Sequence, residues 1–155
     1  MKFLSSISVV SILVALTGCG AMIQNVELAK TEPTKKIETV SQVLHVRNST
    51  AMNDNLQSAL KQEGLIVKAP LPTGTITSNE VDALVSYDDA WVWDFKMYLA
   101  ALSIHIYDAK TGDLLAIGYW QNSRLHRWPD SAEVMQGLVT DMMARLRGSP
   151  KESTK

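Results

Sequence analysis

The chain has almost no cysteine: Cys19 is the single one in 155 residues. No internal disulfide can form, so a folded domain must hold together through its core alone. An excess of one charge is also missing, with 15 Lys and Arg against 16 Asp and Glu and a formal net charge of −1. Proteins that grip a phosphate backbone carry a basic patch, so nucleic acid is not an expected partner. No repeat or low-complexity tract is present, and neither is a phosphate-cradling glycine loop nor a Gly-x-Ser-x-Gly elbow. His45, His105 and His126 have no Cys or His at zinc spacing. The seven methionines fall mostly at helical core positions, and no cofactor box is read in them. What is present is 46% apolar and 20% charged residues, enough to bury the core of one ordinary domain.

Lys2 gives a minimal positive start, and Phe3 to Leu16 is apolar except for small serines. That run is shorter than the ~20 residues a membrane-spanning helix needs. It reads as an export signal. Leu16-Thr17-Gly18-Cys19 follows and resembles the lipobox of bacterial lipoproteins. The resemblance implies cleavage before Cys19, with diacylglycerol on its sulfur and acylation of the new amino group. Small residues at Thr17 and Gly18 suit entry into a protease cleft, and acylation accounts for the odd thiol. Each buried methylene adds about 0.8 kcal/mol, so several acyl chains anchor firmly where one does not. Gly20, not Asp, follows the cysteine. By resemblance to enterobacterial sorting, this favours the outer membrane, with the domain at its periplasmic face. The organisation expected is a signal peptide over 1–18, an anchor and spacer over 19–36, a folded domain over 37–148 and a polar tail over 149–155.

Within the domain, Ile37–Val46 is β-branched and partly alternating, which predicts a strand. Asn48-Ser49-Thr50 offers an N-cap for a helix over about 51–63, closed by Gly64. Residues 65–69 read as a short strand before Pro70 and Pro72. Val81, Ala83, Val85 and Tyr87 alternate in a further strand. Leu102, Ile104 and Ile106 alternate with polar partners, and Asp108 to Asp113 forms a turn in which Gly112 supplies a positive φ. This predicts a hairpin of strands over about 98–107 and 114–121. Asp130 and Glu133 open a last helix with Val134, Leu138, Met142 and Leu146 on one stripe. The expected fold is α+β: a two-layer sandwich with an antiparallel sheet, order β-α-β-β-β-β-α, and two helices on one face.

The densest chemistry is Tyr87-Asp88-Asp89-Ala90-Trp91-Val92-Trp93-Asp94. Asp88, Asp89 and Asp94 could serve a hard cation, but the spacing is not that of an EF-hand loop and the sharp-turn glycine is missing. Two carboxylates could flank a glycosidic bond as acid and base, the basis of an alternative reading as a glycan-directed hydrolase. Adjacent Asp88 and Asp89 would point to opposite faces of a strand, which argues against that pair. Trp91 and Trp93 would share a face and could stack on a sugar or anchor a partner protein. A purely structural reading stands beside these, with indoles covering the end of a core and carboxylates guarding a strand edge. Arg124, His126, Arg127 and Trp128 form a second, basic and aromatic patch.

The run Tyr87-Asp88-Asp89-x-Trp91-x-Trp93-Asp94, with Tyr98-Leu99, Tyr107-Asp108-x-x-Thr111-Gly112 and Leu115-Ala116-x-Gly118, resembles a group of small proteobacterial lipoproteins. That group carries no known catalytic residues. In outline the element order is also similar to periplasmic accessory lipoproteins that activate peptidoglycan synthases or assemble curli secretion pores. The resemblance implies a non-enzymatic lipoprotein. It would be bound to the lipid bilayer through acylated Cys19 and engage an envelope protein or peptidoglycan, without a cofactor or metal.

Overall fold

A computed structural model describes residues 22–123 and 128–148. The elements run β1 (Ile23–Leu28), β2 (Thr39–Gln42), α1 (Thr50–Gln62), β3 (Ile66–Val67), β4 (Ala83–Asp94), β5 (Lys96–Asp108), β6 (Leu114–Gln121) and α2 (Ser131–Leu146). The fold is mixed α+β, an open six-stranded sheet with two helices.

Local chemistry sets the helix ends. Ser49 caps α1 by accepting from the Met52 N–H, and Gly64 beyond its C-terminus takes φ +79°. Asp130 caps α2 by accepting from the Ala132 N–H. Met52, Leu56, Ala59 and Leu60 of α1 share one buried core with Met135, Leu138, Val139, Met142 and Met143 of α2. The sheet meets them with Val85, Tyr87, Leu102, Ile104, Ile106 and Trp120. Leu102, Ile104 and Ile106 sit at every second position of β5, the period of a strand with one buried face. At Gly118 of β6 the helix approaches closely: a Cβ there would lie 2.5 Å from Met142 Sδ and 3.0 Å from Leu138 Cγ.

Three expectations need correction. First, the sheet is not antiparallel throughout. Its order is β1-β6-β5-β4-β2-β3, and β2 runs parallel to both β3 and β4. The chain crosses from β2 through α1 to β3, and a crossover helix returns the strand in the same direction. Second, residues 20–36 are not only a spacer. Ile23–Leu28 pairs antiparallel with β6, and Val26 is buried opposite Gly118. The order is therefore β-β-α-β-β-β-β-α. Third, β4 and β5 run further than their alternation suggests and meet in a tight turn at Phe95, where φ is +57°. The strand over 114–121 and the turn at Gly112, φ +79°, match expectation.

Candidate functional site

Cys19 lies outside the described residues, as do Arg124, His126 and Arg127. The Asp and Trp cluster is fully placed: Asp88, Asp89, Trp91, Trp93 and Asp94 all belong to β4. Strand β2 pairs with β4 only as far as Val85. Outside the strand ladder, Val43 N–H donates to Val85 O at 2.8 Å and Asn48 Nδ2 to Tyr87 O at 3.2 Å. Strand β6 pairs with β5 only from Ala101 onward. Among the described residues, Trp91–Asp94 and Lys96–Leu99 therefore pair as strands only with each other. They form a two-stranded arm that runs past the sheet for roughly 13 Å.

The arm has two faces. A bulge shifts its register: Ala90 opposes Ala101 while Trp91 opposes Leu99, leaving Ala100 as the extra residue. Trp91 and Trp93 continue the alternation of Val85 and Tyr87, so both indoles lie on the helix side of the sheet, beyond the helices. Trp93 pairs with Met97, and Val92 on the other face pairs with Tyr98. Trp93 is 69% exposed and Phe95 at the tip 91%, with Trp91, Val92 and Met97 exposed as well. Lys96 Nζ lies 4.8 Å from the Trp128 ring centroid, a cation–π contact joining the arm to the segment before α2.

The carboxylates do not converge. Asp88 is exposed on the face away from the helices, opposite Ser103, and Asp89 lies on the helix side, opposite Leu102. Asp89 Oδ2 accepts from Trp91 Nε1 at 2.6 Å, so it serves to orient the indole. Asp94 lies at the turn, opposite Lys96. Among the described residues no three His, Cys, Asp or Glu side chains come together in a way that could hold a metal ion. His105 stacks on Tyr107 with ring centroids 6.3 Å apart. Burial pushes the Tyr87 phenol up, with the charge of Asp89 adding to it. Its hydroxyl donates to Asn53 Oδ1 at 2.9 Å, so this tyrosine is a structural group of the core.

Two buried carboxylates elsewhere hold the loop between β1 and β2. Asp82 Oδ2 accepts from the N–H groups of Glu38 at 3.0 Å and Thr39 at 2.8 Å, and Lys35 pairs with Asp82 Oδ1. Burial alone would raise its pKa, but Lys35 and the hydrogen bonds from Glu38 and Thr39 prevail and hold it below the usual carboxylate range. Asp108 accepts from Thr34, Lys110 and Thr111, and it too is lowered despite its burial. The sequence reading passed over Val92, Phe95 and Met97, because it ended the strand at Tyr87 and resumed at Tyr98. The signal available was the apolar spacing of Trp91-Val92-Trp93-Asp94-Phe95-Lys96-Met97 itself.

The architecture defines a class first: an open, mixed sheet with two helices and a protruding hairpin. Among solved structures, the chain is similar to the PelC dodecamer from Paraburkholderia phytofirmans. The TM-score is 0.53 and the identity 10%, covering 84% of this chain and all of that one. At that identity the likeness is one of fold alone. TolB from Acinetobacter baumannii matches with a TM-score of 0.46 and 12% identity over 84% of this chain and 33% of that one. A PDZ domain protein from Parabacteroides distasonis gives 0.45 and 16% over 86% and 38%. No protein-family model and no curated protein matches the sequence. No helix among the described residues is long and apolar enough to cross a membrane.

Proposed function

We propose that the chain is a non-enzymatic accessory lipoprotein of the bacterial envelope, anchored through acylated Cys19 at the periplasmic face of the outer membrane. Its β4–β5 arm is the surface it offers to a protein partner. The observation that carries this reading is the concentration of exposed Trp91, Val92, Trp93, Phe95 and Met97 on one projecting ribbon. An isolated two-stranded ribbon is at best marginally stable in water, and exposed apolar patches of this kind mark interaction sites. The lipobox at Leu16–Cys19 and the absence of a second cysteine support the anchor. PelC, similar in fold, is a dodecamer, so a chain of this architecture is compatible with assembly. The glycan-hydrolase alternative has less support, because Asp88 and Asp89 face opposite sides and Asp89 is engaged by Trp91.

Two measurements test this reading. Mass spectrometry of the mature protein should find acyl chains on Cys19, and Cys19→Ala should release the protein from membranes. Crosslinking in intact envelopes should recover partners with wild type but not with Trp91→Ala plus Trp93→Ala. Changing Asp88, Asp89 and Asp94 together to Asn should leave those partners in place. A bare thiol on Cys19, or identical partners from the double tryptophan variant, overturns the reading.

A further inference from the structure

The arm and the start of β1 lie at the same end of the sheet. Ile23 opposes Gln121, Gln121 opposes Ala101, and Ala101 opposes Ala90, so one row crosses the sheet at the base of the arm. Strand β1 is antiparallel to β6, and β6 to β5, so β1 runs in the direction of β5, away from the arm tip. The chain therefore enters β1 from the arm's end of the sheet. Cys19 stands four residues before Ile23, a covalent reach of at most about 14 Å. The arm extends about 13 Å past the same row. A membrane that takes up acyl chains on Cys19 is thus within reach of the arm tip. The cleft lined by Lys30, Lys35 and Lys36 lies beside Leu28 and Leu115, at the other end of β1.

Charge on the arm is balanced and confined to its turn, where Asp94 opposes Lys96. Elsewhere the arm is apolar or aromatic on both faces: Trp93 and Met97 on the helix side, Val92 and Tyr98 on the other, with Phe95 at the tip. Docking on a protein surface covers one face of a ribbon and leaves the other wet. A lipid layer surrounds both. Tryptophan and tyrosine favour the membrane–water interface, where the ring is buried and its polar atom stays wet.

Resting on the reading of Cys19 as an acylated anchor, we infer that the arm tip enters the interfacial layer of the bilayer that holds that anchor. The insertion is shallow. Outside their mutual pairing, the arm strands pair with no other strand among the described residues, and open strand edges are not tolerated in hydrocarbon. Asp94 and Lys96 stay among the headgroups, since charge is costly deeper in. Trp93, Phe95 and Met97 reach the boundary between headgroups and acyl chains, about 5–10 Å deep. The anchor makes this contact intramolecular, so weak insertion suffices. Two points of attachment orient the domain, with the lysine-lined cleft turned away from the lipid. A protein partner of the arm then meets it at the bilayer surface.

Spin-label accessibility tests this on the full-length, acylated protein in phosphatidylcholine vesicles. Acylation blocks Cys19, so an introduced cysteine alone takes the label. Met97→Cys leaves Trp93 and Phe95 in place. Ile76→Cys marks the far end: Ile76 is 75% exposed, and a Cβ at Gly112 in the β5–β6 turn would lie 2.9 Å from its carbonyl oxygen. The label at 97 should collide more with oxygen dissolved in lipid than with a water-soluble nickel complex, and the label at 76 should show the reverse. Trp93→Ala with Phe95→Ala should invert the ratio at 97 while the melting temperature holds. Because the arm's charge is balanced, anionic lipid or high salt should change neither reading. A label at 97 open to the nickel complex, with acyl chains found on Cys19 by mass spectrometry, overturns the insertion and leaves the anchor. A bare thiol on Cys19 overturns the anchor on which the inference rests, whatever the label reads. Lipid contact at 97 that needs anionic lipid, or is lost in salt, would mean that lysines hold the domain down, and overturns insertion by apolar contact. A photoreactive phenylalanine analogue at position 95 should crosslink to phospholipid in intact envelopes. Adducts with protein alone, whether another chain or a second copy, would assign the tip to that partner and overturn the lipid contact.

Discussion

The backbone N–H of Thr34 donates to Asp108 Oδ2 at 2.7 Å, across 74 positions of sequence. Asp108 is almost wholly buried, and its Oδ1 accepts from the N–H groups of Lys110 at 2.9 Å and Thr111 at 3.1 Å. One carboxylate thus closes the turn between β5 and β6 and pins the loop leading into β2. Removing it leaves three donors to find new partners, two of them in the turn itself. Asp108→Ala should therefore lower stability by about 2–4 kcal/mol, since hydrogen bonds to a charged group are the strong ones. Denaturant unfolding checks the value, and a loss below about 1 kcal/mol would show that water replaces the carboxylate at little cost.

Acid should act through Asp82 and Asp108 together. Both are held below the ordinary carboxylate range in the folded protein, because burial is outweighed by hydrogen bonds at each and, at Asp82, by Lys35 as well. A depressed folded-state value means the unfolded chain takes up the proton first. The stabilisation is complete above the unfolded value of about 3.9 and is lost as pH falls from there through the folded values. The melting temperature should change little from these groups between about pH 5 and 7 and drop below about pH 4. Asp82→Asn should reduce the steepness of that drop, read from melting curves across the range.

Gly118 should resist even a methyl group. Its Cβ would lie 2.5 Å from Met142 Sδ and 3.0 Å from Leu138 Cδ1. Gly118→Ala should cost about 1–3 kcal/mol by forcing α2 off β6. The Met142 tip can move, so the cost depends on whether Leu138 can follow. Combining Gly118→Ala with Met142→Ala should give a loss smaller than the sum of the two, a coupling that a double-mutant cycle measures.

What was readable from the sequence was local. The caps at Ser49 and Asp130, the positive φ at Gly64 and Gly112 and the span of β6 each follow from residues within a few positions. The parallel pairing of Val40 with Ala83 and with Val67 has no local signature, because it depends on where α1 returns the chain. Ile23–Leu28 reads as spacer because only Val26 in it is buried, so an edge strand leaves almost no period of two. The opposed faces of Asp88 and Asp89, and the shared face of Trp91 and Trp93, were legible from alternation alone. The tip was not: a turn through Phe95 has no glycine, proline or asparagine to announce it.

That tip gives the last prediction. A bulky residue with positive φ is strained, since its Cβ crowds the backbone, and Phe95 at φ +57° is the only non-glycine residue with positive φ among the described residues. Its ring is 91% exposed, so little core packing offsets the cost. Phe95→Gly should therefore be neutral or stabilising, by up to about 1 kcal/mol. If the phenyl ring is kept there for contact with a partner, the same substitution should weaken crosslinked capture through the arm while the melting temperature holds or rises. Strain retained at an exposed position fits that trade between stability and function. A fall in melting temperature, or unchanged capture, would mean that Phe95 serves the hairpin and not its partner.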